Sequence, residues 1–69
     1  MKIKVNGEEK DIELENGNAL LSSTIKFLGY SSKNIIVEVN DLIINSARWE
    51  NKLLKEGDKL EIVAIVGGG

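Results

Sequence analysis

Histidine and cysteine are both absent from this 69-residue chain, and three aromatics, Phe27, Tyr30 and Trp49, are all it carries. Without histidine a Ser–His–Asp arrangement cannot be built, and the commonest general base is missing. Without cysteine there is no thiol nucleophile, no disulfide and no thiolate for zinc. Carboxylates and lysines remain, a poor kit for a free-standing active site, so neither an independent enzyme nor a metal site is expected. Charge of one sign is lacking too: nine basic and eleven acidic residues are scattered singly and leave a net charge of −2. No basic stripe meets phosphates and few rings could stack on bases, which argues against a nucleic-acid partner. No apolar run approaches the roughly 18 residues of a membrane span, and the N-terminus carries no signal-peptide pattern. A cytoplasmic protein with no membrane association is the expectation.

What the chain does have is aliphatic material: eight Leu, nine Ile and five Val. A chain of this length hides only about 60% of its unfolded surface, so burial of these side chains must supply the stability. Each contributes roughly 1.5–3 kcal/mol when fully buried, before chain entropy is subtracted.

Lys2-Ile3-Lys4-Val5 alternates with the period of a half-buried strand. Asn6-Gly7 follows, a pair suited to a two-residue hairpin turn whose central residues both need positive φ. Alternation resumes through Leu14, which predicts strands at 2–6 and 9–14 with Ile3, Val5, Ile12 and Leu14 facing one core. Asn18 is an N-cap candidate for a helix over Ala19–Leu28, whose Leu21, Ile25 and Leu28 share a face flanked by Leu20, Thr24 and Phe27. Gly29 stands where a left-handed C-terminal cap is wanted.

The β-branched run Ile35-Ile36-Val37-Glu38-Val39 predicts a strand with Ile35, Val37 and Val39 inward, Ile36 and Glu38 outward, ending in a turn at Asn40-Asp41. Leu42-Ile43-Ile44 suits a short strand; Ser46–Trp49 suits a brief strand or turn, with an irregular stretch carrying Leu53 and Leu54 after it. Glu56-Gly57-Asp58 turns the chain into a last strand over 59–66, with Leu60, Ile62 and Ala64 inward and Glu61, Val63 and Ile65 outward. The predicted fold is α+β: a mixed sheet of four or five strands with one main helix packed on one face. Residues 1–66 form a single domain in this reading and 67–69 a flexible glycine tail.

Gly67-Gly68-Gly69 is the feature that points to function. Three glycines after a strand add nothing to a core and weaken any strand they join. Their virtue is slenderness: such a tail can enter a narrow channel and bring a carboxylate to a partner's active site. A frayed end is the plainer alternative; a phosphate loop fits less well, because the glycines neither open a helix nor precede Lys-Ser or Lys-Thr. Val63, Ile65 and Val66, with Ile36 on a neighbouring strand, are predicted to form an apolar docking patch beside the tail; a one-residue slip of register would turn them into the core. Trp49 reads as a cover for a core edge. Ser22 and Ser23 read as solvent-facing, Glu8-Glu9 as a solvated hairpin tip, and Glu56 and Asp58 as turn-shaping residues.

Taken together, the Asn6-Gly7 hairpin, Ile36-Val37-Glu38-Val39-Asn40, Arg48-Trp49, Glu56-Gly57-Asp58-Lys59-Leu60-Glu61-Ile62-Val63 and the closing Val66-Gly67-Gly68-Gly69 resemble the sulfur carrier proteins of thiazole (thiamine) biosynthesis, the ThiS group of the ThiS/MoaD ubiquitin-like family. The resemblance covers essentially the whole chain and implies the β-grasp fold. It further implies that a partner enzyme uses ATP and Mg²⁺ to adenylate the Gly69 carboxylate, with Gly68 giving steric access. A persulfide donor then displaces AMP to leave a thiocarboxylate, and thiazole synthase takes the sulfur. Gly67, Val66, Ile65, Val63 and Ile36 would meet the partners. On this reading the chain binds no cofactor itself, is a cosubstrate, and is a monomer when free. Three alternatives stand beside it. One is the small subunit of molybdopterin synthase, whose tail commonly has a proline-containing run before Gly-Gly. The others are a protein modifier joined to lysines through Gly69 and a non-covalent β-grasp interaction module.

Overall fold

The computed structural model describes residues 1–13, 19–31 and 33–65. Along the chain come β1 (Lys2–Val5), β2 (Glu8–Asp11), helix α1 (Leu21–Phe27), β3 (Ile35–Val39), β4 (Leu42–Ile43), a 3₁₀ turn (Ser46–Arg48) and β5 (Lys59–Ala64). The strands form one mixed sheet in the order β2-β1-β5-β3-β4, with β5 central and parallel to β1 while the other pairings are antiparallel.

Both hairpins use two-residue turns. Asn6 and Gly7 take φ of 52° and 83°, and Asn40 and Asp41 take 51° and 71°. Positive φ at both central positions matches the right-handed twist of the flanking strands. Asparagine and aspartate enter that region at less cost than other side chains because their short polar groups bond locally. The second strand is shorter than predicted: it ends at Asp11, although Ile12 just beyond is buried as expected, and Leu14 lies outside the described residues.

One sheet face is packed. Ile3 and Val5 of β1, Val37 and Val39 of β3, and Leu60 and Ile62 of β5 point the same way and are buried with Leu21, Thr24 and Ile25 of α1. Trp49 and Leu54 complete this core. Ala64 was predicted to join it and does not, being exposed. It pairs with Ile35, itself only partly buried, in the last row of the β3–β5 ladder. There the packed layer is running out, and a methyl group is too short to reach back to it. Phe27, on the flank of the helix, is likewise turned outward.

The helix is shorter than predicted and starts differently. Its N-cap is Leu20, with no side-chain cap, in place of Asn18, which lies outside the described residues. The first N–H groups find partners from a distant segment: Leu21 N–H donates to the Lys52 carbonyl (2.8 Å) and Ser22 N–H to that of Trp49 (3.0 Å). Backbone carbonyls thus satisfy donors that a capping side chain would otherwise take. The C-terminus follows the prediction. Gly29 has φ of 88°, its N–H bonds the Lys26 carbonyl and Tyr30 N–H bonds that of Ile25. That pair of bonds is a Schellman ending.

Candidate functional site

Alternation along β5 divides its residues between two environments. While Leu60 and Ile62 enter the core, Val63 is 53% exposed, and Ile65, in the same phase just past the strand end, is 48% exposed. Directly opposite Val63 on β3 stands Ile36, 38% exposed. The backbone carries this arrangement one residue beyond the strand, since Ile65 N–H donates to the Asn34 carbonyl at 2.7 Å. The predicted grouping of Ile36, Val63 and Ile65 on the open face is therefore present in the fold. Val66, Gly67, Gly68 and Gly69 lie outside the described residues.

The structure adds a residue that the sequence reading left out. Ile43, 70% exposed, pairs with Glu38 across β3 and β4, and so shares the open face with Ile36 and Val63. The signal was available: a two-residue turn at Asn40-Asp41 pairs Val39 with Leu42 and hence Glu38 with Ile43. Beyond the apolar row the open face becomes charged. Glu38 stands opposite Glu61. The row after that holds Lys59, which pairs with Lys4 in the parallel ladder and reaches Asp41 at 3.2 Å. From the end where β5 leaves the sheet, the open face thus reads apolar, acidic, then basic.

Other sequence candidates have structural employment. Trp49 is buried and its Nε1–H donates to the Ile44 carbonyl at 2.9 Å. Asp58 accepts from Lys55 N–H at 2.8 Å and from the Asn40 side-chain amide at 3.0 Å, shaping the turn as predicted; Glu56 accepts from Lys2 N–H at 3.0 Å. Glu8 and Glu9 are exposed beside Lys10 and Lys2. Ser22 and Ser23 are partly buried and line an open depression of about 690 Å³ with Lys26, Tyr30, Trp49 and Glu50. Among the described residues no three acidic side chains gather into a metal-binding group, and no helix is long and apolar enough to cross a membrane.

A mixed sheet with its final strand in the middle, one main helix across one face, and an open opposite face define a ubiquitin-like β-grasp domain. Residues 3–69 match the model of the ThiS family. The chain belongs to that family. Its likeness to the crystal structure of the thiamine biosynthesis protein ThiS from Geobacter metallireducens has a TM-score of 0.83 at 21% identity, over all of both chains. At that identity the likeness is one of fold. The chain is 35% identical over its whole length to a thiazole synthase of Paramagnetospirillum magneticum, of which it spans only 20%. It is also 32% identical to the uncharacterized protein ycf40 of Pyropia yezoensis, covering all of this chain and 93% of that one.

Proposed function

We propose that the chain carries sulfur on the C-terminal carboxylate of Gly69 and delivers it to thiazole synthase, acting as a cosubstrate of partner enzymes. The observation that carries this reading is the route of β5. This central strand leaves the sheet beside the exposed Ile36, Val63 and Ile65, and Gly69 is the fourth residue beyond Ile65. Fully extended, four residues reach about 14 Å, so a partner seated on the apolar row has the carboxylate within range of its own active site.

The chemistry follows from what a carboxylate lacks. It is a poor electrophile, with no leaving group. An adenylating partner holding ATP and Mg²⁺ converts it to an acyl-adenylate and releases pyrophosphate. The outer sulfur of a persulfide donor displaces AMP to give an acyl disulfide. A second thiol of the donor side attacks and cleaves its S–S bond, which releases the thiocarboxylate and forms a disulfide. After transfer to thiazole synthase the carboxylate returns. Gly67 and Gly68 present no side chain to obstruct a narrow channel. Val63, Ile65, Val66 and Ile36 supply the apolar contact. The match of this whole chain to one fifth of a protein named thiazole synthase supports that enzyme as the sulfur acceptor.

The test is an intact-mass spectrum of the protein co-expressed with its adenylating enzyme and a sulfur source. A gain of one oxygen-to-sulfur exchange, placed on Gly69 by fragmentation and lost when Gly68 and Gly69 are deleted, is the expected result. An unmodified terminus beside a demonstrably active partner would overturn the reading.

A further inference from the structure

Glu38 and Glu61 face each other across the centre of the open sheet face, one from β3 and one from β5. Both are partly buried. Among the described residues, which include every lysine and the one arginine of the chain, neither carboxylate takes part in an ion pair or accepts a hydrogen bond. Lys59, one row away, is directed to Asp41 instead. Like charges directly opposite on neighbouring strands repel, and partly burying a carboxylate without a donor adds a desolvation cost. For the isolated domain the pair is a liability.

The surroundings indicate what would relieve it. Ile36 and Val63 form the row on one side, and Ile43 lies next to Glu38. A single cation spanning both carboxylates, carried on an aliphatic stem that lies over these residues, satisfies charge and apolar surface together. A guanidinium does this better than an ammonium, because its planar fork of donors can serve two acceptors at once. A second copy of this chain fits poorly. The face runs apolar, acidic, basic, so a twofold axis that stacks apolar on apolar leaves the acidic rows unmatched. An axis that matches acid to base leaves the apolar rows overhanging.

We propose that this face docks the adenylating partner through an arginine of that partner, seated between Glu38 and Glu61 with its stem over Ile36, Val63 and Ile43. The inference rests on the sulfur-carrier reading for the identity of the partner.

The experiment measures pyrophosphate release by the purified adenylating enzyme as the concentration of full-length carrier is varied. The carriers are parent, the double variant Glu38→Gln/Glu61→Gln, the control pair Glu8→Gln/Glu9→Gln with the same change of charge at the β2 edge, and Val63→Asp. For the glutamate pair a KM raised about tenfold is expected, with kcat retained, a flatter dependence of KM on NaCl, and a melting temperature at or above that of the parent. The control pair should keep the parental KM. An unchanged KM for the Glu38/Glu61 pair, with Val63→Asp still impaired, would overturn the arginine contact and leave the carrier reading intact. So would a melting temperature below the parent's, which would make the pair part of the fold, or a parent dimer in sedimentation that the double variant dissociates. Failure of the carrier reading is separate: the parent itself would then give no carrier-dependent release.

Discussion

Asn6 grips Ile62 through both ends of its side-chain amide, although 56 residues separate them. Ile62 N–H donates to Asn6 Oδ1 at 2.7 Å, and Asn6 Nδ2 donates back to the Ile62 carbonyl at 3.2 Å. The parallel ladder between β1 and β5 pairs Lys4 with Lys59 and Val5 with Leu60. At Asn6 the backbone turns away into the hairpin, and the amide stands in for the peptide group that would have continued the pairing. Asn40 does the equivalent on the other flank, accepting from Lys59 N–H at 3.0 Å and donating to Asp58 at 3.0 Å.

Replacing Asn6 by glycine keeps access to positive φ and removes the clamp. We expect Asn6→Gly to cost about 1–3 kcal/mol, because part-buried Ile62 groups lose their partners. In a domain of this size each kcal/mol lowers the melting temperature by about 4–8 °C. Asn6→Asp retains the acceptor and places a carboxylate against the Ile62 carbonyl, so it should not recover the parental stability. Urea denaturation of the three proteins decides it; a parental midpoint for Asn6→Gly would show the clamp to be unimportant.

Trp49 separates stability from docking. Trp49→Phe keeps a ring in the core but strands the Ile44 carbonyl, for an expected loss of about 1–3 kcal/mol. Trp49→Ala should cost about 3–5 kcal/mol. For Trp49→Phe, still folded at 25 °C, the KM for the carrier in the adenylation assay should stay parental. A raised KM would assign the indole to the interface.

Gly29 and Gly57 test backbone conformation alone. Their φ values are 88° and 86°, and an added Cβ would meet nothing within 4 Å at either position. Alanine at each should therefore cost about 1–2 kcal/mol from the left-handed conformation itself, and Gly29→Asn should cost less than Gly29→Ala. Equal stability for all three at Gly29 would mean that the helix end is rebuilt.

Val63→Asp puts a poor strand former and a third carboxylate beside Glu38 and Glu61, so it should cost about 1 kcal/mol and leave the protein folded. It should nevertheless reduce thiocarboxylate formation in the co-expression assay, measured as the modified fraction by mass. Full modification would remove Val63 from the docking surface.

The elements whose causes are local were legible in the sequence. Asn6-Gly7 specifies its own turn, Gly29 its own helix end, and alternation in β3 and β5 sorted Val37 and Leu60 from Ile36 and Val63. Trp49 covers a core edge, as a lone tryptophan beside an irregular stretch predicts, and the structure adds the Ile44 carbonyl as the acceptor of its indole N–H. The helix start was not legible, because its donors are met by Lys52 and Trp49, some thirty residues downstream. Nor was the exposure of Ala64, which depends on where the packed layer ends and not on strand phase. Ile43 needed the β3–β4 register, which follows from the Asn40-Asp41 turn, whereas the facing glutamates needed the register of β3 against β5, which no connecting turn sets.

Placing β5 in the middle of the sheet has a consequence for the order of events during synthesis. The strand on which β1 and β3 both depend for pairing lies at residues 59–64, after every other element described. The two hairpins and the helix are translated first, and their shared partner arrives only after all of them. Non-local pairing of this kind makes closure of the sheet a late step. The exposed row of Ile36 and Val63 does not exist until that step is complete. Under the proposed docking through this row, completed folding is a condition for engaging a partner.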